Sequence, residues 1–161
     1  MLNTDFANKC RKLVGRSYAD IDCIRVVTKP LGLHMSGTNW LWRSINNSAK
    51  YRYLKWRVAE QPDPTELECG DVVFKIKWEQ QPEGYDDCPN CHHVGVYLGD
   101  GTVCHSSPKT GVRIEQFNPY DWDGWGKLMH VEYVEFPREP EKTVEGLSDH
   151  DMLKALYDKY C

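Results

Sequence analysis

Apolar residues change their spacing once along the chain. Up to about residue 54 they recur at helical intervals, and from Gly70 onward they alternate with polar residues in short runs. Phe6, Cys10 and Leu13 share one face of a helix expected over residues 3–13, with Asn3 or Thr4 as N-cap and Gly15 as its end. A second short helix starts at Asp22 or Cys23 in "IDCIRVVTK", buries Val26 and Val27, and must close at Pro30 and Gly32. A third is expected from about Thr38 to Leu54, before the prolines of "QPDPTELECG" break the pattern. Period-two alternation then predicts strands at "DVVFKIKW", "HVGVYLG", "TVCHSS", "VRIEQF" and "LMHVEYVEF", separated by Gly, Pro, Asn and Asp. Helices followed by an antiparallel meander make an α+β domain, drawn over residues 1–137. Residues 138–161 read as a polar linker and a capped amphipathic helix, with Ser148 and Asp151 in a capping-box pattern.

Composition adds exclusions. A chain of 161 residues, 40% hydrophobic and 27% charged, can bury a core as one domain without staples. Its formal net charge of -4 supplies no basic field for nucleic acid. No apolar run approaches the roughly 20 residues of a membrane span, and the N-terminus does not read as a secretory leader, so no membrane partner is expected. Seven cysteines cannot all pair, and reduced thiols are the expectation. "CPNCHH" has the form of a haem attachment site, which would require export. As half of a zinc site, Cys88 and Cys91 would need two further ligands, and no second C-x-x-C follows. Plain loop thiols are the expectation there, with a structural metal or a reversible disulfide as the alternatives; no cofactor is expected.

The candidate chemistry lies in "HHVGVYLGDGTVCHSS", residues 92–107. A two-residue turn would send His93 and His105 to opposite faces of the hairpin, whereas a three-residue turn, Gly99 to Gly101, places Gly95 opposite His105 and the two imidazoles on one face. Gly101 suits the left-handed position of the longer turn. One ring could then orient the other across an empty space at Gly95, which is half of a nucleophilic dyad. Cys23 supplies a nucleophile from an element expected to pack on the same sheet face, and its place at a helix start should lower its pKa. His92 falls on the other face by alternation. His34, His130 and His150 read as ordinary histidines, and Trp122 and Trp125 as packing, with the lining of a substrate groove as the alternative.

Residues 15–107 resemble an NlpC-type cysteine peptidase domain, from the papain-like family that cuts peptidoglycan stem peptides. The resemblance is carried by "GRSY" at 15–18, "DC" at 22–23, "GDVVF" at 70–74, "HVGVYLGDG" at 93–101 and "HSS" at 105–107. It implies a papain-like fold of N-terminal helices on an antiparallel sheet, with Cys23 as nucleophile, His93 as base and His105 orienting it. It further implies that Tyr18 lines the pocket, and that Asp22 meets a substrate ammonium or fixes the helix start. The stretch between Tyr18 and Cys23 is shorter than in the family pattern, and Ile24 stands where a serine is usual. The implied substrate is a peptidoglycan stem peptide or muropeptide, cut between D-γ-glutamate and a diamino acid by a monomer that needs no cofactor. A cysteine, histidine-dependent wall amidase and a catalytically silent wall-binding or phage structural module are the alternatives. The expected location is cytoplasmic as made, with release by lysis or carriage on a phage particle.

Overall fold

The computed structural model describes residues 1–34, 37–46, 66–77 and 90–134. Among these residues three helices precede the sheet: α1 (Asn3–Arg11), α2 (Cys23–Leu31) and α3 (Thr38–Asn46). Five strands follow: β1 (Val72–Lys77), β2 (Asn90–Tyr97), β3 (Thr102–Ser107), β4 (Gly111–Gln116) and β5 (Gly124–Gly126). They form one sheet in the order β4-β3-β2-β1-β5, antiparallel throughout, which is the expected α+β layout. No helix among the described residues is long and apolar enough to cross a membrane. The expected domain boundary at 137, the C-terminal helix with His150, and Cys88 lie outside the described residues.

Alternation along the strands divides the core in two. Val72, Phe74, Val94, Val96, Leu98 and Cys104 face the helices, where they pack with Phe6, Cys10, Val26, Val27 and Leu41. Val73, Tyr97 and Val103 face the other way and pack with Leu67 and Trp122. Thiols help tie the first layer, since Cys104 Sγ donates to Cys10 O at 3.7 Å and Cys10 Sγ to Val26 O at 3.5 Å. Cys10, Cys23 and Cys104 are free thiols, but Cys69 is disulfide-bonded, which corrects the expectation of a fully reduced chain.

Other expectations are corrected as well. The N-cap of α1 is Leu2, not Asn3 or Thr4; Asn3 is buried and spends its amide on Cys69 O at 2.9 Å. The segment "LMHVEYVEF" forms no strand over its described part, which turns at 129–131 and makes a single bridge from Glu132 to Leu2. The strand that pairs with β1 on its outer side is instead β5, whose sequence "GWG" carries no alternating pattern.

The start of β1 is anchored by a buried ion pair. Lys127 Nζ lies 2.7 and 2.9 Å from the two carboxylate oxygens of Asp71, which is fully buried, and 3.2 Å from Glu68. Removing one partner of such a pair leaves an uncompensated charge in a low-dielectric site. Lys127→Met is therefore expected to destabilise the fold by about 3–5 kcal/mol in urea denaturation. A loss below about 1 kcal/mol would show that Asp71 finds other compensation.

Candidate active site

The turn between β2 and β3 decides where the two histidines go. Leu98 N–H bonds Thr102 O at 2.9 Å, so the turn is Gly99 to Gly101, and Gly95 pairs with His105. Gly101 sits at φ 79°, a left-handed position that a side chain would strain. His93, two residues before Gly95, therefore projects from the same face as His105. His93 Nε2 and His105 Nδ1 are 2.9 Å apart, with the ring planes at 87°.

The space over Gly95, expected to be empty, is filled by Trp122, which packs behind the touching rings. Its indole stacks on His93 at 5.7 Å between centroids and 21° between planes, and meets His105 edge-on at the same separation. Gly95 is what admits it: a Cβ there would fall 3.0 Å from Trp122 Cη2 and 2.8 Å from Val103 Cγ2. Trp122 is only 3% exposed, so it is a wall behind the pair and not the lining of an open groove.

Cys23 reaches this region by a route alternation did not suggest. Helix α2 packs against the opposite face of the sheet, through Val26 and Val27, and not against the histidine face. The β2–β3 ladder, however, ends at Gly95↔His105, although β3 continues to pair with β4 as far as Ser107↔Gly111. At this splayed end Ser106 Oγ donates to Ile21 O at 2.6 Å, and the Cys23 sulfur meets the backbone N–H of Val94, the residue next to His93. Asp22 caps α2, accepting from Arg25 N at 2.9 Å, and so fixes the helix start. Tyr18 lies close by: its pKa is raised by burial first, then by Cys23 and Asp22.

Burial sets the charge state of the site. The Cys23 pKa is raised, because desolvation outweighs the amides of Val94, Ile24 and Cys23 itself, and the expected lowering by the helix start is overturned. Desolvation is also the largest effect on both imidazoles. It brings His93 down to about 4, helped by His105, Lys75 and His92. His105 is lowered too, with Glu115 pulling the other way. Near neutral pH the resting site is thus a neutral thiol beside two neutral rings.

Two neighbours went unread in the sequence. Lys75 is directly opposite His93 on β1 and holds its ammonium 5.0 Å from the Trp122 ring centre. Glu115 on β4 approaches His105, with Oε1 3.1 Å from Nε2. Period-two alternation on "VRIEQF" and "DVVFKIKW" was the available signal for both. His92 lies at a bulge, where the register passes from Lys75↔His93 to Ile76↔Cys91, and its side chain is exposed away from the pair. Cys91 is buried in the helix-facing core, and among the described residues no group of three or more His, Cys, Asp or Glu could hold a metal.

No family model and no curated protein matches this sequence. Solved structures do. An NlpC/P60 family protein from Bacillus cereus matches with TM-score 0.51 and 20% identity over 79% of this chain and 40% of that one. The NlpC/p60 domain of the peptidoglycan hydrolase SagA matches with TM-score 0.50 and 18% identity over 80% of this chain and 100% of that one. This chain has the NlpC/P60 fold. It spans 40% of the Bacillus cereus protein's length, and at these identities the likeness is one of fold.

In this NlpC/P60 fold the bare Cα of Gly95 holds indole and imidazoles in register. Gly95→Ala is expected to push Trp122 off His93 and cost about 1–3 kcal/mol by overpacking. Urea denaturation, with tryptophan emission as a report on the indole's burial, checks both. An unchanged midpoint would show that Trp122 has room to move.

Proposed function

We propose that this chain is a cysteine peptidase acting on peptidoglycan stem peptides, with Cys23, His93 and His105 as its catalytic trio. The observation that carries the reading is the 2.9 Å contact between the imidazoles, made beside Val94, whose amide meets the Cys23 sulfur. The peptidoglycan substrate is suggested by the name of one structural neighbour and by the motifs at 15–18, 22–23, 70–74, 93–101 and 105–107.

Cys23 Sγ attacks the scissile carbonyl carbon while its proton passes to His93 Nδ1, the ring nitrogen that His105 leaves uncommitted. A neutral resting thiol requires this transfer to accompany attack. Backbone N–H groups at the start of α2 receive the developing oxyanion. The C–N bond then breaks, His93 returns its proton to the departing amine, and the acyl group remains on Cys23 as a thioester. His93 next takes a proton from water, whose oxygen displaces the sulfur and releases the acid, and passes that proton to the departing Cys23 Sγ. Tyr18 and Asp22 border the approach to the sulfur. The bond proposed is the one joining D-γ-glutamate to a diamino acid.

Digestion of purified peptidoglycan, followed by mass spectrometry of the fragments, tests both activity and bond. Fragments ending in D-glutamate are expected; fragments cut at the sugar-peptide junction would mark an amidase, and none at all a silent module. Cys23→Ala should abolish cleavage, and His93→Ala should lower kcat by about 10²–10⁴-fold. His93 acts only when neutral, and burial holds its pKa at about 4. The acid limb of kcat/KM is therefore expected near pH 4, with the rate lost as pH falls through it. A limb at the ordinary imidazole value of about 6.5 would contradict the assignment of a buried base.

A further inference from the structure

Beside the histidine pair stands a carboxylate that the proposed reaction does not use. Glu115 shares a strand face with Arg113, the residue directly opposite His105, and its Oε1 is 3.1 Å from His105 Nε2. The Arg113 guanidinium pairs with the same oxygen. Both Nε2 and Oε1 are sealed from solvent, and neither makes an aligned hydrogen bond among the described residues. Their contact lies off the N–H axis, so the attraction is that of a close charge for a ring dipole.

A neutral imidazole carries one ring proton, and an adjacent carboxylate favours the nitrogen that faces it. With the proton on His105 Nε2, its Nδ1 holds a lone pair and accepts from His93 Nε2 across the 2.9 Å contact. His93 then has its only proton on Nε2, and its Nδ1 keeps the lone pair that a base needs. The opposite arrangement sets a lone pair of His105 against the carboxylate and forces the His93 proton onto Nδ1, where it blocks the reaction. The other groups that bear on the rings are Lys75 from β1, His92 from β2 and Arg113 from β4. Glu115 is the anion in contact with a ring, and cations cannot make the same selection.

We propose that Glu115 is a positioning residue: acting through His105, it sets the His93 tautomer so that Nδ1 is the basic nitrogen. This rests on the reading of His93 as the base of a cysteine peptidase, but the tautomers can be observed without a substrate.

The test is long-range ¹H–¹⁵N NMR of the full chain labelled with ¹⁵N-histidine at pH 7, for wild type, Glu115→Leu and Glu115→Gln. Wild type should show Nε2–H on both rings, and Glu115→Gln, which keeps an acceptor oxygen, should retain it. Glu115→Leu should move the His93 proton toward Nδ1 and lower kcat on muropeptides by about 10- to 100-fold with KM nearly unchanged. Dispersed ring signals in the same spectra report that each variant is folded. Wild-type rings in the opposite tautomer, or tautomers unmoved by Glu115→Leu, would overturn the inference. Tautomers that respond as expected in a wild type that cuts no muropeptide would uphold it and count against the proposed hydrolysis alone.

Discussion

Side chains on a strand alternate, so one residue more or less between β2 and β3 would separate His93 and His105 by the thickness of the sheet. The three-residue turn ending at Gly101 prevents this, pairing Gly95 with His105 and leaving His93 diagonal to it on one face. Several other features serve the same corner. Gly95 makes room for Trp122, Trp122 walls the rings from behind, and Glu115 reaches His105 from the next strand. Each would lose its meaning if the register slipped.

The second constraint is that Cys23 and the imidazoles belong to different layers. Helix α2 is held on one face by Val26 and Val27, while the histidines stand on the other. Splaying of β2 from β3 beyond Gly95 lets the start of α2 enter between them, with Ser106 holding Ile21 and Val94 meeting Cys23. The same enclosure removes water, which raises the thiol pKa and lowers those of both rings. Burial in this site therefore favours the neutral form of the thiol and of both rings.

Much of this was legible in residue order. Alternation and turn chemistry place β1 to β4, the turn length and the shared face of His93 and His105, because each depends on neighbours close in sequence. Val26 and Val27 follow from helical spacing in the same way. What was not legible depends on contacts between distant segments. Strand β5 is "GWG", a pattern with no periodicity, and it is a strand only because β1 offers an edge. "LMHVEYVEF" alternates well but finds no partner strand over its described part, and a pattern without a partner makes no sheet. Asn3 looks like a cap and is instead buried against Cys69, since the end of α1 packs on the chain before β1. Trp122 comes from a loop 29 residues beyond His93, and no local rule brings them together. The helix start at Cys23 can be read from sequence, whereas the burial that outweighs it cannot.

The account stands on the convergence of Cys23 with His93, and a bifunctional haloketone such as 1,3-dibromoacetone measures that directly. Its first carbon alkylates a thiol and its second reaches only a nucleophile a few ångströms away. Tandem mass spectrometry of the digested adduct should find Cys23 joined to His93 through a three-carbon bridge. Cys23 modified without a link to any histidine, or joined instead to His92, would contradict the arrangement of the site.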